Sequence, residues 1–253
     1  MTAPALHTFR AGSGPTVLML HGIGSSGTAW GAQMERLGRG FHCIAPDLPG
    51  YGESPAAAGA GLDAIVDTVI ALLQGQPAHV IGVSFGGLLA LALARREPGL
   101  VRSLVLADAT LGRASLPDAE RARWLAHREG LAHELATRSH ERAREIAGRH
   151  ASPEAIDAIA EHMRRARPEG YLAVARAIAQ TDASTWLPQI AAPALIVCGE
   201  DDQVTGAAMS NTLAHGLPDA RLEVIAGAGH APHIEQPDRF AALVREFLQA
   251  LPA

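Results

Sequence analysis

Short runs of apolar, β-branched residues alternate with longer stretches of helical periodicity along most of this 253-residue chain. No other feature constrains the fold as strongly. Strand signals fall at residues 16–20, 41–45, 78–83, 101–107, 194–198 and 221–225. Helical patterns fall near 29–37, 62–73, 85–96, 207–215 and 239–251. Strands that are apolar on both faces need cover on both faces, so the expectation is α/β: a mostly parallel central sheet between helices. With 48% hydrophobic residues the chain can fill such a core.

The rhythm breaks between residues 111 and 188. That stretch carries no strand signal and reads as several helices, with breakers at Pro117, Gly130, Gly148, Pro153, Pro168 and Gly170. It holds twelve of the 21 basic residues and eleven of the 26 acidic ones, so its net charge is near +1 while the whole chain stands at −5. A helical block inserted into an α/β sheet is expected to form a cap. Residues 1–110 and 189–253 then make the core domain, and residues 111–188 the helical cap.

The charge balance speaks against a nucleic-acid partner, which would want a basic surface. Cys43 and Cys198 both fall in apolar strands, too few for a disulfide framework or a cysteine-based zinc site. No His-Glu-x-x-His pattern occurs, so neither a metal nor a cofactor is expected. The segment Met1-Thr2-Ala3-Pro4-Ala5-Leu6-His7 shows no signal-peptide pattern, and the longest apolar run, residues 88–94, is too short to span a bilayer. The expectation is a soluble, cytoplasmic protein with no membrane partner.

Between the strand at 78–83 and the helix at 85–96 stands Gly82-Val83-Ser84-Phe85-Gly86. A serine on so sharp a strand-to-helix turn has a constrained backbone and an exposed hydroxyl, the usual setting of a nucleophile. The candidate base is His230, in a loop just past the last strand, with His233 as rival. The candidate acid is Asp202, past the strand at 194–198, with Asp201 and Asp108 as rivals. Its role would be to hold the imidazole in one tautomer. An oxyanion hole needs two backbone N–H groups. The choices are Phe85, at the helix N-terminus, and Ile23, in His21-Gly22-Ile23-Gly24.

Together these residues resemble the α/β-hydrolase superfamily. His21-Gly22-Ile23-Gly24 looks like its oxyanion loop, and Asp47-Leu48-Pro49-Gly50-Tyr51-Gly52 like the turn after the next strand. Gly82 to Gly87 looks like the nucleophile elbow. Gly199-Glu200-Asp201-Asp202 and Gly229-His230-Ala231-Pro232 look like the acid and histidine loops. The resemblance covers nearly the whole chain and favours Asp202 over Asp201 and His230 over His233. A looser similarity, over residues 167–193, points to 3-oxoadipate enol-lactonases and their carboxylesterase relatives.

The resemblance implies a serine hydrolase that cleaves a small carboxylic ester or lactone through an acyl-enzyme on Ser84. The alternatives are a hydrolase of carbon–carbon bonds in ring-cleavage dienone acids, and a slow-turnover binding protein of the same fold. The partner is then a small molecule, and Trp124, His127, Met163, Tyr171 and Trp186 are the candidate pocket residues. Arg121, Arg164 and Arg165 are candidates to meet a substrate carboxylate.

Overall fold

The computed structural model describes residues 4–251. Met1 to Ala3, at the start of the expected core domain and of the segment read for a signal peptide, and the last two residues lie outside it.

Seven strands form one sheet: β1 (Thr8–Ala11), β2 (Thr16–Leu20), β3 (His42–Pro46), β4 (Ala78–Val83), β5 (Val101–Ala107), β6 (Ala194–Gly199) and β7 (Ala220–Ile225). Their order is β1-β3-β2-β4-β5-β6-β7. All neighbours are parallel except β1, which runs antiparallel to β3. The register sets Leu18 beside Val80, Val80 beside Leu104, and Leu104 beside Ala194.

Alternation along the strands sorts the core into two layers. Leu18, Leu20, Ile44, Val80, Leu104 and Ile196 face α2 (Gly61–Leu73) and α3 (Phe85–Arg96). Val17, Met19, Cys43, Ile81, Val105 and Val197 face α1 (Gly31–Leu37) and, near the C-terminus, α9 (Pro237–Ala250). Burying an aliphatic side chain in either layer is worth about 1.5–3 kcal/mol. Cys43 and Cys198 are free thiols, each pushed up to about 11 by burial.

Between β5 and β6 lie α4 (Asp118–Ile146), α5 (Pro153–Arg164) and α6 (Pro168–Gln180). Beyond β6 come α7 (Gly206–Gly216) and the single-turn α8 (Pro232–Glu235). No helix among the described residues is long and apolar enough to cross a membrane.

Three sequence expectations need correction. Gly130 does not break a helix; it is an exposed interior residue of the 29-residue α4. Glycine there costs about 1 kcal/mol relative to alanine, which the surrounding helix formers and the Arg138 pairs with Glu134 and Glu141 offset. Gly170 lies inside the first turn of α6, its Cα packed against Gly50. Strand β1 was not expected, because its four residues at the sheet edge show no apolar run.

Candidate active site

The loops at the carboxyl ends of β2, β4, β6 and β7 converge on one cavity, where open α/β sheets place their ligands. Ser84 sits at the β4–α3 turn with φ 55° and ψ −115°, a conformation that costs a non-glycine residue about 1–3 kcal/mol. Its surroundings hold it there. The Ser84 N–H donates to the Ala107 carbonyl at 3.0 Å, and its carbonyl accepts from Gly87 at 3.0 Å and Thr110 at 3.3 Å. A Cβ on Gly86 would land on the Leu20 carbonyl, and one on Gly82 would land on the Gly86 backbone. The two glycines of the motif are therefore required by close backbone approach.

The β2 loop runs beside the serine, with a Cβ at Gly22 falling 3.2 Å from the Ser84 Cβ. Neither the Ile23 N–H nor the Phe85 N–H donates to an acceptor among the described residues. Behind the loop, the Leu48 N–H donates to His21 Nε2 at 3.0 Å, so Nδ1 carries the proton and donates to the Gly22 carbonyl at 2.9 Å. Burial pulls the His21 imidazole down to about 4 and keeps it neutral. The sequence placed His21 only within its loop; its bridging role depends on a contact 27 residues away.

His230 and Asp202 meet across 28 residues of chain, Nδ1 to Oδ1 at 3.0 Å. The other partners of Asp202 are the N–H groups of Val204 (2.8 Å), Thr205 (3.3 Å) and Gly206 (2.9 Å) and the Thr205 hydroxyl (2.6 Å). Burial would raise this carboxyl. The bonds from His230, Thr205 and Gly206 outweigh it and hold Asp202 well below the usual carboxylate range. An ionised Asp202 fixes the proton on Nδ1 and leaves Nε2 as the accepting nitrogen. His230 and Ser84 line the same cavity with no hydrogen bond between them.

The rivals are otherwise engaged. Asp201 accepts from the Arg149 backbone N–H at 3.0 Å and from its Nε at 2.9 Å. Asp108 is fully buried behind Asp202; its Oδ1 takes the Gly199 N–H at 2.9 Å and its Oδ2 has no partner among the described residues. Burial, and then the Asp202 charge, push it well above the usual carboxylate range. The His233 ring packs 4.6 Å from Trp30 and 6.1 Å from Phe240, and burial lowers it to about 3.

The cavity encloses about 940 Å³, counting the part open to solvent. Trp124, Met163 and Tyr171 line it. His127 and Trp186 do not, contrary to expectation. His127 lies on the exposed side of α4, and Trp186 stacks under Arg95 at a separate surface recess. Arg121 pairs with Asp118, and Arg164 and Arg165 pair with Glu161, all outside the cavity. Arg113 and Arg128 line it instead. The sequence did hold a signal for this wall: Trp124, Arg128, Leu131, Leu135, Arg142 and Ile146 recur at helical spacing along α4, and all six line the cavity. Among the described residues, no group of three or more His, Cys, Asp or Glu side chains could hold a metal ion.

Residues 15–237 match the family model described as alpha/beta hydrolase fold. A pimeloyl-[acyl-carrier protein] methyl ester esterase from Chromobacterium violaceum is 33% identical over 244 residues, covering 94% of this chain and 96% of that one. Among solved structures, an esterase from Thermogutta terrifontis with malate bound superposes with a TM-score of 0.86 at 28% identity, covering 96% of this chain and 93% of the other. The enol-lactonase from Burkholderia xenovorans superposes with a TM-score of 0.79 at 25% identity, covering 96% of each.

Proposed function

This chain belongs to the alpha/beta hydrolase family, and from that premise we propose that it hydrolyses a carboxylic ester through an acyl-enzyme on Ser84. The observation that carries the reading is the 3.0 Å bond from His230 to Asp202, made at the wall of the cavity into which the strained Ser84 opens. In this mechanism Nε2 of His230 takes the hydroxyl proton as Oγ of Ser84 attacks the carbonyl carbon. Asp202 holds the ring and balances the imidazolium that forms. The N–H groups of Phe85 and Ile23 receive the developing oxyanion. His230 then gives the proton to the leaving alcohol, and a water, activated by the same ring, releases the acid. Helices α4 to α6 act as a cap that walls the acyl site and sets its selectivity.

An ester is favoured over a lactone because the similar curated protein is named for a methyl ester. The likeness to the enol-lactonase supports a lactone as the second reading, since the same acyl–oxygen bond is cut within a ring. The test is a rate panel of methyl esters, small lactones and a dienone acid, with Ser84→Ala beside the parent. Ester turnover should fall on the order of 10⁴-fold or more in the variant, and fluorophosphonate labelling should vanish. Labelling or turnover retained in Ser84→Ala overturns the acyl-enzyme. Cleavage of the dienone acid alone overturns the ester.

A further inference from the structure

Most arginines of residues 111–188 face a carboxylate: Arg138 pairs with Glu134 and Glu141, Arg142 with Glu145, and Arg149 with Asp201. Arg113 and Arg128 form no ion pair among the described residues, and both stand in the cavity wall. Arg123 and Arg144 are also unpaired there, but they are exposed and lie outside the cavity. Trp124 holds the inner pair together, with the two guanidinium carbons 4.9 Å and 5.0 Å from its ring centroid. Arg128 donates to the Tyr171 hydroxyl at 3.0 Å, while its Nε is buried without a partner. The Arg113 guanidinium donates to no acceptor among the described residues.

Two like charges set close together and partly out of water repel each other, and the aromatic ring compensates only in part. Burial, followed by the Arg128 charge, accordingly lowers the Arg113 guanidinium from its usual range. Glu120 attracts Arg113 more weakly than these two effects oppose it and forms no ion pair with it among the described residues, and the cavity opens onto the two guanidinium groups. We propose that Arg113 and Arg128 form an anion subsite, so that the substrate is an ester bearing a second, anionic group at the far end of its acyl chain. The ester half of this proposal rests on the hydrolase reading above. Placement supports the geometry. The Thr110 N–H meets the Ser84 carbonyl, and the three residues from Thr110 to Arg113 span at most about 11 Å. Leu131, Leu135 and Ile178 add apolar wall for the methylene chain. Guanidinium forks take carboxylate and phosphate alike, so the terminal group is an oxyacid of either kind.

The experiment compares kcat/KM for the anionic monomethyl ester with that for the neutral dimethyl ester of one diacid, from butanedioic to octanedioic acid. A second arm uses methyl esters of ω-phosphonooxy acids against their ω-hydroxy counterparts. The parent should favour the anionic ester at least tenfold in one arm, and that arm identifies the group. In Arg113→Gln the anionic-to-neutral ratio should fall at least tenfold; in Arg123→Gln, one exposed charge removed from the same region, the ratio should stay. Because each ratio is taken on the same folded molecules, partial unfolding cannot mimic the effect. Calorimetric titration of the diacids and of the ω-phosphonooxy acids themselves reads the subsite without turnover and should show the same tenfold loss in Arg113→Gln. Neutral esters cleaved with no anionic preference in either arm, or a ratio unmoved by Arg113→Gln, overturns the subsite. Acids bound through Arg113 with no ester cleaved overturns the hydrolase reading and leaves the subsite standing.

Discussion

Asp202 and Asp201 are adjacent in the chain and differ in every contact that matters. Asp202 receives the His230 ring and three backbone N–H groups, whereas Asp201 is spent on Arg149. Replacing Asp202 by Asn keeps the shape but removes the charge that fixes the proton on Nδ1. Turnover of the best ester should fall about 10³–10⁴-fold. Asp201→Asn removes the charge that pairs with the exposed Arg149, away from the His230 ring, and should cost less than about tenfold. Steady-state rates of the two variants decide the matter, and equal losses would refute the choice of Asp202. Sequence spacing left that choice open by one residue because the arginine that occupies Asp201 arrives from 52 residues away. The same holds for His233, whose packing against Trp30 and Phe240 no local pattern announces.

At the scale of elements, the strands were legible because both faces of β2 through β6 are buried, which writes itself as unbroken apolar runs. Strand β1 was not, since an edge strand of intermediate burial needs no such run. Helix α4 hid its length behind Gly130 and its inner face behind its many charges; only the phase set by Trp124, Leu131 and Leu135 marks the side that meets the cavity. Its C-terminal end is fastened to the histidine loop. Glu235 accepts the N–H groups of Gly148 (2.7 Å), Gly229 (2.9 Å) and Ala231 (3.0 Å). Glu235→Ala would leave these three donors without their acceptor, at about 2–4 kcal/mol. The unfolding free energy from urea titration should fall by that amount at constant slope, and ester turnover should fall with it. A free energy within about 0.5 kcal/mol of the parent would show that the clamp is not needed.

For the molecule as a whole, acid should loosen the fold. His21 and His233 remain neutral in the native state down to about 4 and about 3, while an unfolded imidazole takes a proton near about 6.5. Below that pH the unfolded chain therefore binds more protons, and stability declines as pH falls from about 6.5 toward 4, and for His233 on toward 3. Each group contributes up to about 1.4 kcal/mol per pH unit. Asp108 acts in the opposite sense, because its raised carboxyl gains a proton in the native state first. The clean measurement is therefore a difference: between pH 7 and pH 5, urea unfolding of His233→Phe should lose about 1–2 kcal/mol less than the parent. Equal losses would remove His233 from the acid response. Helix α4 is also tied to the histidine loop through the backbone. The His230 N–H is bonded at 2.8 Å to the carbonyl of Ile146, the last residue of α4, and the same helix carries Trp124 and Arg128 some 30 Å back along its axis. Anyone replacing these helices with foreign ones would thus exchange the anchor of His230 along with the wall of the cavity. The natural unit of transplantation is α4 together with residues 227–235, and a lineage that altered its diet by reshaping one would have to readjust the other.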